Sequence, residues 1–136
     1  MAWVVDTCLL VDLGLRDPNF EQKSTDLIEL HEAQGLVVCP VAFVELAPMF
    51  SGDLRNAEAF LDTFGVDYSE PWIEADTHQA FDAWHRWTKT RREQNLRRRP
   101  VADVLIGAFA LRFDGLLTRN AADFKALFPT LNLVAP

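Results

Sequence analysis

Cysteine is scarce: Cys8 and Cys39 are the only two in 136 residues. Each stands in an apolar context, and neither is spaced for metal binding. They read as reduced, buried small residues, which excludes a disulfide-stapled scaffold. Long apolar runs are lacking too, and none would span a bilayer, so no membrane partner is expected. The first residues, MAWVVDTCLL, have no positively charged leader and carry Asp6. They do not read as a signal peptide, and the expected compartment is the cytoplasm. No internal repeat, low-complexity segment or linker divides the chain. Its length suits one domain with a real core, expected to cover residues 1–136. With 49% apolar and 24% charged residues, the composition fits a globular protein and argues against disorder.

Positive charge is in short supply, and the net charge is −7. Its distribution is uneven. Residues 86–99 hold seven basic side chains (Arg86, Lys89, Arg91, Arg92, Arg97, Arg98, Arg99) against one acid, Glu93. That segment is therefore +6, and the rest of the chain is −13. An acidic body alone argues against a nucleic-acid partner. A concentrated basic segment keeps that option open, because phosphate binding depends on local charge.

Taken in order, the chain alternates short apolar runs with helical patterns. AWVV (2–5) reads as a buried strand closed by Asp6. Asp6-Thr7 offers an N-cap for a short helix ending near Gly14. Ser24-Thr25-Asp26 is expected to cap a second helix stopped by Gly35. LVVC (36–39) reads as a second strand. Pro40 opens PVAFVELAPMF, an apolar helix in which Glu45 is the lone acid and Pro48 marks the end or a kink. Asp53 caps LRNAEAFLDTF, stopped by Gly65, and residues 66–68 read as a short strand or a plain connection. Glu74 begins the longest helix, with Ala80, Phe81, Trp84 and Trp87 on its apolar positions and a break near Asn95. Trp84 and Trp87 read as core more readily than as a platform for bases.

Pro100 then opens a helix that is apolar nearly all round, as buried helices are. Asp103 is the only charged residue between Arg99 and Arg112. A carboxylate there costs free energy unless donors or a cation meet it. After a turn at residues 113–115 comes a strand at 116–118. A short helix, AADFKALF, follows and is closed by Pro129, and LNLV is a last strand. This pattern predicts an α/β fold: a mainly parallel central sheet with helices on both faces.

Three acids share one description. Asp6 ends the first strand, Glu45 lies in the helix after the second, and Asp103 opens a helix that precedes a later strand. In a parallel sheet the strand ends and following helix starts meet on one edge, so the three are expected to converge. Carboxylates brought together repel unless a cation joins them. Mg²⁺, or Mn²⁺, suits an all-oxygen donor set, and no histidine or cysteine is placed to favour zinc. Each acid also has a plain structural reading, as an N-cap or an arginine partner.

The segments VVDTCLLVDL (4–13), PVAFVEL (40–46), RPVADVLIGAFAL (99–111) and LLTRNAADF (116–124) resemble the PIN-domain family, and most of all its VapC-type toxins from bacterial toxin–antitoxin pairs. The likeness covers nearly the whole chain and rests on the order and spacing of the segments. It implies a single PIN-like domain and a metal-dependent endoribonuclease. Asp6, Glu45 and Asp103 fall on the family's acidic positions. Its T-x-D/N-x-x-D-F segment is matched by Thr118, Asn120, Asp123 and Phe124. Asn120 stands where Asp is common, so the fourth ligand is Asn120 or Asp123. Cys8 stands where many relatives have Asn or Ser, and is expected to pack or make a local contact.

The resemblance further implies an RNA substrate, with Asp6, Glu45, Asp103 and Asp123 as catalytic carboxylates. Thr118 would position water or phosphate, and Arg91, Arg92, Arg97, Arg98 and Arg99 would hold the RNA backbone. A cognate antitoxin and a homodimer are implied as well. The alternative is a non-catalytic PIN-like module that binds RNA or protein, to which the Asn120 departure points. A haloacid-dehalogenase-like phosphatase needs a second Asp where Cys8 stands. A receiver domain needs acids ahead of its Asp and a late lysine, and Lys125 follows the wrong kind of segment.

The basic run yields a first prediction. Neutralising Arg97, Arg98 and Arg99 together is expected to weaken RNA binding. It should also flatten the slope of log affinity against log salt by about 2, at roughly 0.7 per lost phosphate contact. An unchanged slope in a filter-binding titration would remove these residues from the RNA path.

Overall fold

Val4 and Val5 are wholly buried, and the strand they belong to, β1 (Trp3–Val5), is the centre of the sheet. A computed structural model describes residues 2–94 and 100–136, with side chains except at 91–94. After β1 come α1 (Thr7–Gly14), α2 (Glu21–His31), β2 (Leu36–Val37), α3 (Pro40–Glu45), α4 (Leu54–Thr63) and β3 (Val66–Asp67). The second half holds α5 (Glu74–Gln94), α6 (Val101–Ala110), β4 (Gly115–Leu117), α7 (Ala121–Leu127) and β5 (Leu133–Val134).

The five strands lie in the order β3-β2-β1-β4-β5, and every pairing is parallel. Val4 faces Val37 on one side and Leu116 on the other. The chain thus builds outward from β1 to β3, crosses back, and builds outward again from β4 to β5. Right-handed crossovers running in opposite directions place their helices on opposite faces. The α/β architecture expected from the sequence is the one observed. Residues 66–67, ambiguous by pattern, pair as an edge strand with Val66 beside Leu36.

Several helix starts follow their expected caps. Asp6 caps α1 by accepting from the Thr7 N–H at 2.8 Å. Asp53 caps α4 through the Asn56 N–H at 3.1 Å, and Gly65, with φ 68°, supplies the left-handed turn beyond it.

α2 departs from expectation. It begins at Glu21, ahead of the proposed Ser24 cap. The side chain of Asp17 takes the N–H groups of Asn19 and Phe20, and so organises that start from the loop. Ser24 is left inside the helix, buried, where its hydroxyl donates to Asp12 at 2.8 Å.

Burial corrects three further expectations. Glu45 is exposed, and in α3 only Ala42 is buried, while Val44 is 69% exposed. This short helix stops before Pro48, and Leu46, just beyond it, takes the core position instead. Phe81 is 75% exposed. The inward stripe of α5 runs through Asp76, Ala80 and Ala83 at helical spacing, and Phe81 falls off it. Trp84 and Trp87 stack with ring centroids 5.2 Å apart and pack against the core, as expected. The third concerns α6, which is buried from Ile106 to Ala110 but open at its first turn: Val101 is exposed and Asp103 half-buried.

Two of the buried acids, Asp76 and Asp12, are paired with arginines. Asp76 is buried and meets Arg112 through two hydrogen bonds, 2.7 Å from Nε and 2.9 Å from Nη2. Arg112 also donates to the Pro71 carbonyl, tying the start of α5 to the end of α6.

Gly107 on α6 lies against Phe128, just beyond α7. A Cβ there would come within 2.4 Å of the Phe128 ring, itself buried. Gly107→Ala is expected to destabilise the protein by about 1–3 kcal/mol through overpacking. Urea denaturation measures this, and an unchanged midpoint would mean that the ring yields freely.

Candidate functional site

Between β1 and β4 the chain leaves in opposite directions, so a crevice opens at their carboxyl ends, where ligands bind in open α/β sheets. The first residues past those ends are Asp6 and Thr118. Register places them side by side: Val5 faces Leu117, and the Asp6 N–H donates to the Leu117 carbonyl at 3.0 Å. Asp6 is 4% exposed and Thr118 fully buried. The Thr118 hydroxyl donates to Asp6 Oδ2 at 2.7 Å and accepts from the Asn120 N–H at 3.0 Å. The Cys8 thiol also donates to Asp6 Oδ2, at 3.3 Å. Both oxygens of this carboxylate are therefore held.

Glu45 joins the group through a residue that sequence reasoning used only as part of a cap. Thr7 gives its N–H to Asp6 Oδ1 and its hydroxyl to Glu45 Oε1, at 2.8 Å and 2.7 Å. One residue thus links the acids that follow β1 and β2. Asp103 lies half-buried in the first turn of α6, and α6 packs on α3, the helix that carries Glu45. Asn120 is exposed and is tied in by its backbone. Asp123 is exposed in the first turn of α7, and no hydrogen bond connects its carboxylate to Asp6, Glu45 or Thr118. Among the described residues, no three of His, Cys, Asp and Glu gather into a ready-made metal cluster. Arg97, Arg98, Arg99 and the side chains of Arg91 and Arg92 lie outside the described residues.

A second ion pair frames the site, and sequence reasoning passed over it. Asp12 on α1 is 1% exposed and meets Arg119, with Nε 2.9 Å from Oδ2 and Nη2 donating to Oδ1 at 3.0 Å. Arg119 also lies over the Phe20 ring, 4.1 Å from its centroid. Flanked by Thr118 and Asn120, Arg119 clamps the exit of β4 onto α1. The signal was present: Asp12 is an acid on the apolar side of a short helix, and such an acid needs a cation.

Burial pushes the Asp6 carboxyl above the usual carboxylate range. The Thr118 hydroxyl, the Cys8 thiol, the Thr7 N–H and the charge of Arg119 pull the other way. The Cys8 thiol is pushed up to about 12, first by burial and then by the charge of Asp6. Cys39 is pushed up to about 11, mainly by burial. The groups here that would offer oxygen donors are the carboxylates of Asp6, Glu45 and Asp103 and the amide of Asn120. The direct partners of Asp6 are hydrogen-bond donors, and Arg119, whose charge it feels, is paired with Asp12. A hard divalent cation fits both facts: it matches oxygen donors and relieves the cost of a buried anion.

No protein-family model matches the sequence, and no curated protein matches it. The fold does have a solved counterpart. The chain is similar to one in the crystal structure of VapBC2 from Rickettsia felis bound to a DNA fragment from its promoter. The TM-score is 0.71 and the identity 18%, over 100% of this chain and 99% of that one. The architecture is thus a PIN-like α/β fold. No helix among the described residues is long and apolar enough to cross a membrane.

The raised pKa of Asp6 fixes the sign of a stability effect. With its folded pKa above the unfolded one, Asp6 favours folding at low pH. That contribution is lost as pH rises through the folded pKa. In metal-free protein, Asp6→Asn is expected to melt progressively higher than wild type as pH moves from acidic to neutral, because Asn still caps α1 without ionising. A melting-temperature difference that stays constant with pH would refute this.

Proposed function

We propose that this chain is a metal-dependent endoribonuclease of the VapC type, the toxin of a toxin–antitoxin pair. The carrying observation is the Asp6–Thr118 hydrogen bond at the point where the sheet's strand order reverses, with Glu45 joined to it through Thr7. The likeness to a chain of a VapBC2 structure supports the same reading.

On this reading Asp6, Glu45 and Asp103 hold Mg²⁺ or Mn²⁺. Both Asn120 and Asp123 are exposed, and the backbone bond from the Asn120 N–H to Thr118 favours Asn120 as the fourth group. When bound there, such an ion would supply Lewis acidity toward water and the phosphate. The protein's own groups do the positioning. Thr118 and Thr7 keep the Asp6 carboxylate fixed in a buried crevice. Glu45, exposed, meets both substrate and solvent, and is the carboxylate best placed to accept a proton from water. The basic segment at residues 86–99 holds the RNA backbone beside an otherwise acidic body. That acidic body also suits capture by a cognate antitoxin that presents a basic residue. A homodimer completes the proposal.

One observation favours a second reading, a PIN-like module without catalysis. No three acids stand gathered among the described residues, and Asn120 takes a position where an acid would add charge.

Incubating total cellular RNA with antitoxin-free protein separates the two. Discrete fragments are expected with Mg²⁺ or Mn²⁺, and none with EDTA or with Asp6→Asn or Asp103→Asn. Intact RNA under every condition, from folded protein that binds the metal, would support the binding module. Cleavage that survives EDTA and both substitutions would overturn the site assignment.

A further inference from the structure

We infer that Thr7 is a positioning residue of this site and that its hydroxyl sets the place of the Glu45 carboxylate. The inference rests on the reading of Asp6 and Glu45 as metal ligands, and it adds a residue to that reading.

Glu45 has little else to hold it. It is exposed, it ends a six-residue helix, and a 3₁₀ turn at Ala47–Phe50 follows directly. A glutamate side chain in that setting would sample many rotamers, and ordering it costs conformational entropy. The one hydrogen bond to its carboxylate among the described residues is the Thr7 hydroxyl at 2.7 Å. It engages Oε1 and leaves Oε2 for another partner. Thr7 itself is well anchored. It is the first residue of α1, half-buried, and its N–H is fixed on Asp6 Oδ1.

The result is an unbroken series of contacts across three neighbouring strand ends. The Asn120 N–H meets Thr118, the Thr118 hydroxyl meets Asp6, Asp6 meets the Thr7 N–H, and the Thr7 hydroxyl meets Glu45. Every link but the last is buried or half-buried. The last brings in the exposed acid from α3. Thr7 thus serves both acids, by backbone toward one and by side chain toward the other. A hydroxyl one step outside a ligand set orients the ligand, and removing such a group usually weakens metal binding by about 10- to 100-fold.

The test compares Thr7→Val, which keeps the shape but loses the hydroxyl, with Thr7→Ser, which keeps the hydroxyl. Mn²⁺ titration calorimetry should show affinity about 10-fold or more weaker in Thr7→Val, and close to wild type in Thr7→Ser. In a Glu45→Gln background the same Val substitution should add little, since its effect runs through Glu45. Thr7→Ala replaces Thr7→Val if the latter folds poorly. Crystal structures of the metal-free variants read the positioning directly: the Glu45 side chain should leave its wild-type place in Thr7→Val and keep it in Thr7→Ser.

Glu45 unmoved in Thr7→Val, equal Mn²⁺ affinity in Thr7→Val and wild type, or equal loss in the Ser and Val variants would each overturn the inference. Wild-type protein that binds no Mn²⁺ would instead overturn the metal reading. The Glu45 displacement would then still decide the role of Thr7.

Discussion

A buried carboxylate at the end of a central strand is the constraint on which this structure turns. Asp6 follows β1 directly, in a place where water scarcely reaches, and burial raises the cost of its charge. The fold answers with donors rather than with a cation: the Thr118 hydroxyl, the Cys8 thiol and the Thr7 N–H. Each donor comes from a different local rule. Thr7 supplies the N–H that any capped helix leaves free. Cys8 lies one residue further into the same turn. Thr118 arrives from β4, which reaches β1 only because the chain crosses back past β2 and β1 after β3. Local capping and long-range topology therefore meet on one side chain.

The frame around Asp6 is built from ion pairs of unequal visibility. Arg119 on Asp12 holds the segment between Thr118 and Asn120 against α1, and Ser24 adds a hydrogen bond from α2. Arg112 on Asp76 ties the end of α6 to the start of α5. Removing one partner of such a pair leaves a buried charge unmatched, which is far costlier than losing an exposed contact. These pairs fix the helices, and the helices fix where the site's acids can go. Rigidity is thus concentrated at Asp6 and Thr118. Glu45 and the first turn of α6 stay open to solvent.

The sequence was most legible where one residue does one local job. Asp6 and Asp53 cap helices as their position before apolar runs suggested, Gly65 takes the left-handed turn, and the strand at AWVV lies where its apolar run predicted. It was less legible where a choice between faces had to be made. Val44 and Phe81 look like core residues by composition and yet are exposed, because which stripe of α3 or α5 turns inward depends on the neighbouring helix. Ser24 carried a cap signal that Asp17 overrode. Its hydroxyl serves Asp12 instead, a partner twelve residues earlier that no local pattern names.

By itself the sequence determined the alternation of strands and helices, the parallel sheet that this alternation requires, and the delivery of Asp6 and Thr118 at strand ends. Those features follow from hydrophobic period, capping chemistry and chain direction, all of which act over a few residues. Only the tertiary structure decided which donors meet Asp6, that Glu45 is exposed and reaches the group through Thr7, and that Arg119 faces Asp12. These depend on strand order and helix packing, which bring together residues far apart in the chain. Pairing across such distances is settled by the burial free energy of the whole core, and no short stretch of sequence carries that information.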